Sequence, residues 1–201
     1  DIWLSLAVLL LFSPLWLVIG LVIKLESPGP VLFKGRVVGR NGREFTYYKF
    51  RSMRAAADDS AHRAFIAAYV RGAADRKSAL GRRDGEPTYK LTGDSRVTRV
   101  GRIIRKLSLD EVPQLINVLR GEMSIVGPRP PVVYEYELYD EWAKQRLAVR
   151  PGITGLAQVK VRNKASFRQM LEIDLEYIDR RSLWLDLTIM LRTPVAMLQG
   201  K

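Results

Sequence analysis

Asp110 and Glu111 stand side by side in Arg105-Lys106-Leu107-Ser108-Leu109-Asp110-Glu111-Val112-Pro113-Gln114-Leu115, just after two cations. Such a group can handle phosphate. A carboxylate can attack phosphorus and carry a phosphoryl group covalently. A second carboxylate can hold Mg²⁺, which bridges to phosphate oxygens. Ser108 and Glu111 have the spacing of a capping box, which predicts a helix beginning at Leu109. Pro113 is best accommodated within a first turn, which agrees with that start. Asp110 would then sit at the positive end of the helix, where a carboxylate is stabilised and phosphate can bind. Successive helical side chains point about 100° apart, so the two acids are expected to play different roles. The plain alternative is that Glu111 only caps the helix and Asp110 only balances its dipole.

Several elements must position these acids. Val31 to Val38 and Glu44 to Phe50 flank an Asn41-Gly42 pair, a strong signal for a β-hairpin. Residues 58–80 are Ala-rich and predict a helix, followed by a Gly- and Asp-rich loop over 81–95. Leu109 to Leu119 reads as one short helix. Val126 to Pro131 must be a rigid extended turn, because each proline restricts itself and its predecessor. Tyr134 to Val149 reads as an amphipathic helix stopped by Pro151-Gly152. Phe167, Met170, Leu171, Asp174, Leu175 and Ile178 fall at helical spacing. Leu183 to Leu198 is a second apolar stretch, broken by Asp186, Arg192 and Pro194, and expected to be interfacial or core-facing.

The strongest compositional feature is Ile2 to Ile23, an apolar run interrupted only by Ser5, Ser13, Pro14 and Gly20. Its length suits a bilayer, which needs about 20 apolar residues. Ser13-Pro14 near its middle predicts a kink, since proline removes a helix hydrogen bond and clashes with the preceding turn. A signal peptide would have a shorter apolar core, a basic start and a small-residue cleavage site. The 201-residue chain carries a net charge of +12. Residues 24–106 hold 20 Lys/Arg against 8 Asp/Glu, whereas residues 107–201 hold 13 against 12. The excess thus follows the apolar segment, which reads as cytoplasmic and suits anionic head groups or a phosphate-rich substrate. The absence of cysteine excludes disulfides and thiolate metal sites.

Read together, several segments resemble the bacterial sugar transferase family, the monotopic polyprenyl-phosphate phosphoglycosyl transferases. They are Phe12-Ser13-Pro14-Leu15, Ser27-Pro28-Gly29-Pro30-Val31, Lys49-Phe50-Arg51-Ser52-Met53 and Arg105 through Asn117. After them come Gly121 through Pro130 and Pro151-Gly152-Ile153-Thr154-Gly155-Leu156-Ala157-Gln158-Val159. The likeness spans nearly the whole chain, in order. It implies transfer of a sugar 1-phosphate from a nucleotide diphospho-sugar, such as a UDP-sugar, to polyprenyl (undecaprenyl) phosphate. It implies that Asp110 is the nucleophile, forming an aspartyl-phosphosugar, and that Glu111 has a Mg²⁺-linked role beside it. Arg105, Arg129, Lys49, Asp186 and Arg162 match positions implied to contact substrate. Val159-Lys160-Val161-Arg162 departs from the Gly-containing turn common there. Residues 58–95 form a longer insertion than in the shortest members, and no role is transferred to them.

The expected fold is α+β: a mostly helical single catalytic domain with a small β-hairpin, residues 25–201. A kinked re-entrant membrane helix, residues 1–24, would anchor it to the cytoplasmic face of a bacterial inner membrane. The resemblance implies Mg²⁺ as cofactor and a first membrane step of glycoconjugate or polysaccharide assembly. The expected partners are a nucleotide sugar, polyprenyl phosphate and membrane lipids, with no nucleic acid; the sequence leaves an oligomer open. One rival is a Mg²⁺-dependent phosphatase with an aspartyl intermediate. Another is a membrane-tethered nucleic-acid-binding protein, for which the chain has no recognisable motif.

Overall fold

The computed structural model describes residues 1–54, 60–72, 96–161 and 165–199. Helices α1 (Ile2–Leu11) and α2 (Ser13–Glu26) meet at Phe12 with a bend of 65°. The break falls where the sequence placed it: Pro14 occupies the first turn of α2, where its missing N–H costs nothing. Neither helix alone is long and apolar enough to cross a membrane; the bent pair together is. Trp3 is 84% exposed, and Leu11, Leu17 and Leu25 are also strongly exposed. The inner side of α2 behaves differently. Ile19 and Ile23 are buried with Phe50 and Ile104 in one apolar cluster, against which Trp16 and Leu109 pack.

Strands β1 (Leu32–Val38) and β2 (Glu44–Phe50) pair antiparallel, from Leu32 opposite Phe50 to Val38 opposite Glu44. Asn41 and Gly42 both adopt positive φ in the connection, as the Asn-Gly pair predicts. The loop is longer than a two-residue turn and contains a short 3-10 segment, Arg40–Gly42. At the other end of the hairpin, the Arg51 guanidinium donates to the carbonyls of Pro28 and Ser27 at 2.6 and 2.7 Å. Arg51 is thereby buried rather than a surface charge, and it closes the exit of α2.

Helix α3 (Ser60–Val70) lies within the expected Ala-rich helix. Helix α4 (Arg99–Lys106) is capped twice. The Thr98 hydroxyl accepts from the Gly101 amide at 2.9 Å, and the Glu26 carboxylate accepts from the amides of Arg99 and Val100. Burial opposes ionisation of Glu26, but the hydrogen bonds from Thr98 and these amides outweigh it, holding its carboxyl below the usual range. The end of α2 is therefore hydrogen-bonded to the start of α4.

The expected single helix over Leu109–Leu119 is instead a 3-10 segment, Leu109–Gln114, followed by α5 (Leu115–Leu119). Pro113 inside the segment has no N–H to donate into an α-helical ladder. The capping box is absent as well. Ser108 sits in the left-handed region at φ 52° and its side chain caps nothing, because it serves to reverse the chain between α4 and the 3-10 segment. A non-glycine residue held there costs roughly 1–2 kcal/mol, a strain the surrounding packing must impose.

A second sheet, with no counterpart in the sequence reading, pairs β3 (Ser124–Val126) parallel with β4 (Gly152–Thr154). It brings the Val126–Pro131 turn against Pro151–Gly155. A Cβ on Gly152 would lie 2.1 Å from the Gly127 amide nitrogen, so the two segments can touch only as glycines. The expected helix over 134–149 is three pieces: α6 (Val133–Tyr136), α7 (Glu141–Lys144) and a 3-10 segment, Gln145–Ala148. Asp140 restarts the chain by accepting from the Ala143 amide at 2.7 Å. Helices α8 (Leu156–Lys160), α9 (Phe167–Arg180) and α10 (Leu183–Gln199) complete the chain. Helix α10 runs through Pro194, and the Thr193 hydroxyl donates to the Ile189 carbonyl at 2.7 Å in the preceding turn.

Candidate active site

The 3-10 segment carrying Asp110 and Glu111 packs on β2, which carries Lys49. The Lys49 ammonium donates to Glu111 Oε1 at 2.7 Å across 62 residues of sequence. The pair is sheltered, with side chains 18% and 27% exposed. Glu111 thus has a cationic partner rather than a capping role. Asp110 beside it is buried, 8% exposed.

Lys49 is the electrostatic hub. Burial alone would push its pKa down. The carboxylate of Glu111 reverses this, helped by Tyr47 and Asp110 and opposed by Arg129, so the ammonium is held above its ordinary value. Its Nζ also lies 5.5 Å from the centre of the Tyr47 ring. Lys49, Glu111 and Arg129 line one cleft with Tyr47, Gln114 and Gln158.

Asn117 fixes the distance between β2 and the acids, and sequence reasoning gave it no role. It is fully buried. Its amide donates to the Thr46 carbonyl at 2.7 Å and to Glu122 at 2.6 Å, while its oxygen accepts from the Tyr48 amide at 3.2 Å. One side chain thereby clamps the strand on either side of Tyr47. The signal was an amide inside the apolar run Leu115-Ile116-Asn117-Val118-Leu119: a buried polar group must find partners. Gln114 and Gln158 of the cleft were likewise not singled out.

The other expected residues divide. Arg105 lies in the last turn of α4 and its carbonyl accepts from the Ser108 amide, but it is not among the residues lining the cleft. Arg162 lies outside the described residues. Asp186 lines a separate basin with Arg40, Arg150, Tyr177 and Arg181. There it accepts from the Tyr177 hydroxyl at 2.9 Å; burial, then this hydrogen bond, pushes the phenol pKa well above its ordinary value.

The described residues contain no group of three or more His, Asp or Glu arranged to hold a metal ion. Asp110 and Glu111 supply two carboxylates. That number suits Mg²⁺ where substrate phosphates complete its shell, and does not suit an all-protein cage.

Lys49 gives a pH-dependent prediction. Its folded pKa is raised above the ordinary 10.5. The stability from its charge is therefore fully present below about pH 10.5 and is lost as pH rises through the folded value. Replacing Lys49 with Met should lower stability by about 1–3 kcal/mol at pH 7, since it leaves Glu111 without its cation. Denaturant melts across pH should show that deficit level from pH 7 to 9 and shrinking only above about 10.5. A deficit already fading between pH 7 and 9 would contradict the assignment.

Comparison with known proteins gives the family. The family model described as "Bacterial sugar transferase" matches residues 1–200. The chain is 42% identical over 193 residues to the exopolysaccharide production protein ExoY of Rhizobium meliloti (strain 1021), covering 96% of this chain and 81% of that protein. It is 41% identical over 198 residues to the UDP-glucose:undecaprenyl-phosphate glucose-1-phosphate transferase of Caulobacter vibrioides, covering 94% of this chain and 64% of the relative. It is 37% identical over 199 residues to the undecaprenyl-phosphate galactose phosphotransferase of Salmonella typhimurium, covering 99% of this chain and 40% of that longer protein. Glu111 lines the cationic cleft, while Asp110 lies buried next to it in the chain and is not among the lining residues. With the family model matching residues 1–200, the chain belongs to the bacterial sugar transferase family.

Proposed function

We propose that this chain transfers a sugar 1-phosphate from a UDP-sugar to undecaprenyl phosphate through a covalent intermediate on Asp110, as the first membrane step of polysaccharide or glycoconjugate assembly. The observation that carries the reading is Glu111 paired with Lys49 in a cleft that Arg129 also lines, with buried Asp110 next to it in the field of Lys49, in a chain whose relatives are named for undecaprenyl phosphate. In the first step an Asp110 oxygen attacks the phosphorus bearing the sugar. The bond from that phosphorus to the bridging oxygen breaks, and uridine monophosphate leaves with the electron pair. In the second step a phosphate oxygen of the lipid attacks the same phosphorus and Asp110 leaves as carboxylate. The product is an undecaprenyl diphospho-sugar.

Lys49 and Arg129 offset the charge that develops on the phosphate oxygens, which is where fixed cations contribute most to such reactions. Mg²⁺ held by Glu111 and Asp110 together with the donor's diphosphate would supply further charge neutralisation. Glu111 then has two electrostatic tasks, holding Lys49 in place and supporting the metal. The exposed apolar faces of α1 and α2 would lie in the bilayer, bent at Ser13-Pro14 so that both ends return to the cytoplasmic face. Tethering keeps the cleft at the depth of the lipid phosphate and converts a bimolecular encounter into a local one.

Two tests bear on this. Purified protein given UDP-sugars should release uridine monophosphate and build lipid-linked sugar when polyprenyl phosphate is present. Asp110→Asn should reduce turnover by about a thousandfold or more while the protein stays folded. Sugar 1-phosphate released to water with no lipid product would favour a phosphatase, and near-normal turnover in Asp110→Asn would reject this nucleophile. For the anchor, the cysteine-free chain permits single introduced cysteines. Asp1→Cys and Glu141→Cys should react with an impermeant reagent from the same side of sealed membrane vesicles. Labelling from opposite sides would replace the re-entrant reading with a span.

A further inference from the structure

Arg146 is among the most deeply buried charged side chains described, and the proposed reaction does not use it. It is 2% exposed, on the 3-10 segment Gln145–Ala148. Its guanidinium reaches four partners. Nη2 lies 2.6 Å from Asp174 Oδ2 on α9, and Nη1 lies 3.8 Å from Glu135 Oε1 on α6. Nη1 donates to the Tyr139 hydroxyl at 2.7 Å, and that hydroxyl donates to Glu135 at 2.6 Å. Nη2 also donates to the backbone carbonyl of Arg129 at 3.1 Å. Both carboxylates are as buried as the arginine.

The last contact connects this network to the cleft. In Pro128-Arg129-Pro130-Pro131 the prolines donate no amide hydrogens, so the loop must be held largely by its carbonyls. The Pro128 carbonyl accepts from the Gly152 amide and the Pro131 carbonyl from the Val38 amide, both at 2.9 Å. The Arg129 carbonyl lies between them and is held by a side chain, that of Arg146. Because Pro130 confines Arg129 to extended backbone, fixing its carbonyl fixes the plane from which its side chain departs into the cleft. A planar guanidinium can satisfy two carboxylates, a phenol and a carbonyl at once; an ammonium cannot.

We infer that Arg146, clamped by Glu135, Tyr139 and Asp174, is a positioning residue that sets the direction of Arg129 toward the donor's phosphates by holding its carbonyl. This rests on the transferase reading above and deepens it. The network couples three elements far from the acids to the one cation the proline loop delivers.

Arg146→Lys keeps a positive charge between the carboxylates but loses the fork. Arg146→Met with Asp174→Asn removes the charge and one carboxylate together, so that the core is not left with two unpaired acids. In either variant, hydrogen exchange at the Gly152 and Val38 amides, which donate to the Pro128 and Pro131 carbonyls of the loop, should quicken while helix α4 exchanges as in the unchanged protein. The kcat/KM for the UDP-sugar should fall about tenfold, the scale of one lost charge-assisted hydrogen bond. In an Arg129→Ala background the same substitutions should cost nothing further, because what they position has gone. Unchanged exchange in the loop, or an equal tenfold loss in both backgrounds, would overturn the proposal. Absence of any sugar-phosphate transfer by the unchanged protein would instead reject the transferase reading. The clamp is then decided by the exchange rates and by the same pair of backgrounds read on UDP binding.

Discussion

A lysine ammonium set against a glutamate carboxylate in a sheltered cleft is the contact on which the rest of the site depends. Charges sheltered from water must be paired, and leaving one partner of such a pair unsatisfied costs about 1–3 kcal/mol. Lys49 sits on a hairpin strand and Glu111 on a 3-10 segment 62 residues later. Pairing them requires the strand to lie on the segment, which Asn117 secures by bonding the backbone on both sides of Tyr47. It also requires the chain to reverse sharply after α4, which Ser108 does in a left-handed conformation. Asp110 inherits its place from that geometry: it is buried next to the pair, in the field of Lys49, without needing a long helix to stabilise it.

The apolar N-terminal segment is joined to this site by polar contacts rather than merely attached to it. Arg51, two residues after Lys49, donates to the carbonyls that close α2. Glu26, at the other side of that closure, caps the helix that leads to Ser108 and the acids. Ile19 and Ile23 then pack with Phe50 and Ile104. The position of the bent segment and the position of the acids are therefore one structural variable. Under the proposed function, this is a physical route by which anchor depth would set the height of Asp110.

Much of this was legible locally. Proline chemistry located the bend at Ser13-Pro14, Asn41-Gly42 located the hairpin, and the motifs spread along the chain located the family. What the sequence hid were the long-range pairings. Nothing in the spacing links Lys49 to Glu111, so a residue that fits a capping box turns out to be an ion-pair partner. The expected helix over 134–149 failed because Asp140 competes for the backbone of its own turn, an effect that apolar periodicity does not register. Three-residue strands have no periodicity to detect, so the β3–β4 pair came only from structure. Asp186 was grouped with the site by likeness of sequence, whereas its side chain faces Tyr177 in a separate basin.

In the proposed reaction the first transfer ends on Asp110. Protein mixed with a UDP-sugar in the absence of lipid acceptor, quenched and digested, can be read by mass spectrometry peptide by peptide. One sugar phosphate is expected on the peptide containing Leu109–Gln114, discharged when polyprenyl phosphate is added. No adduct, or an adduct on a peptide lacking Asp110, would contradict it.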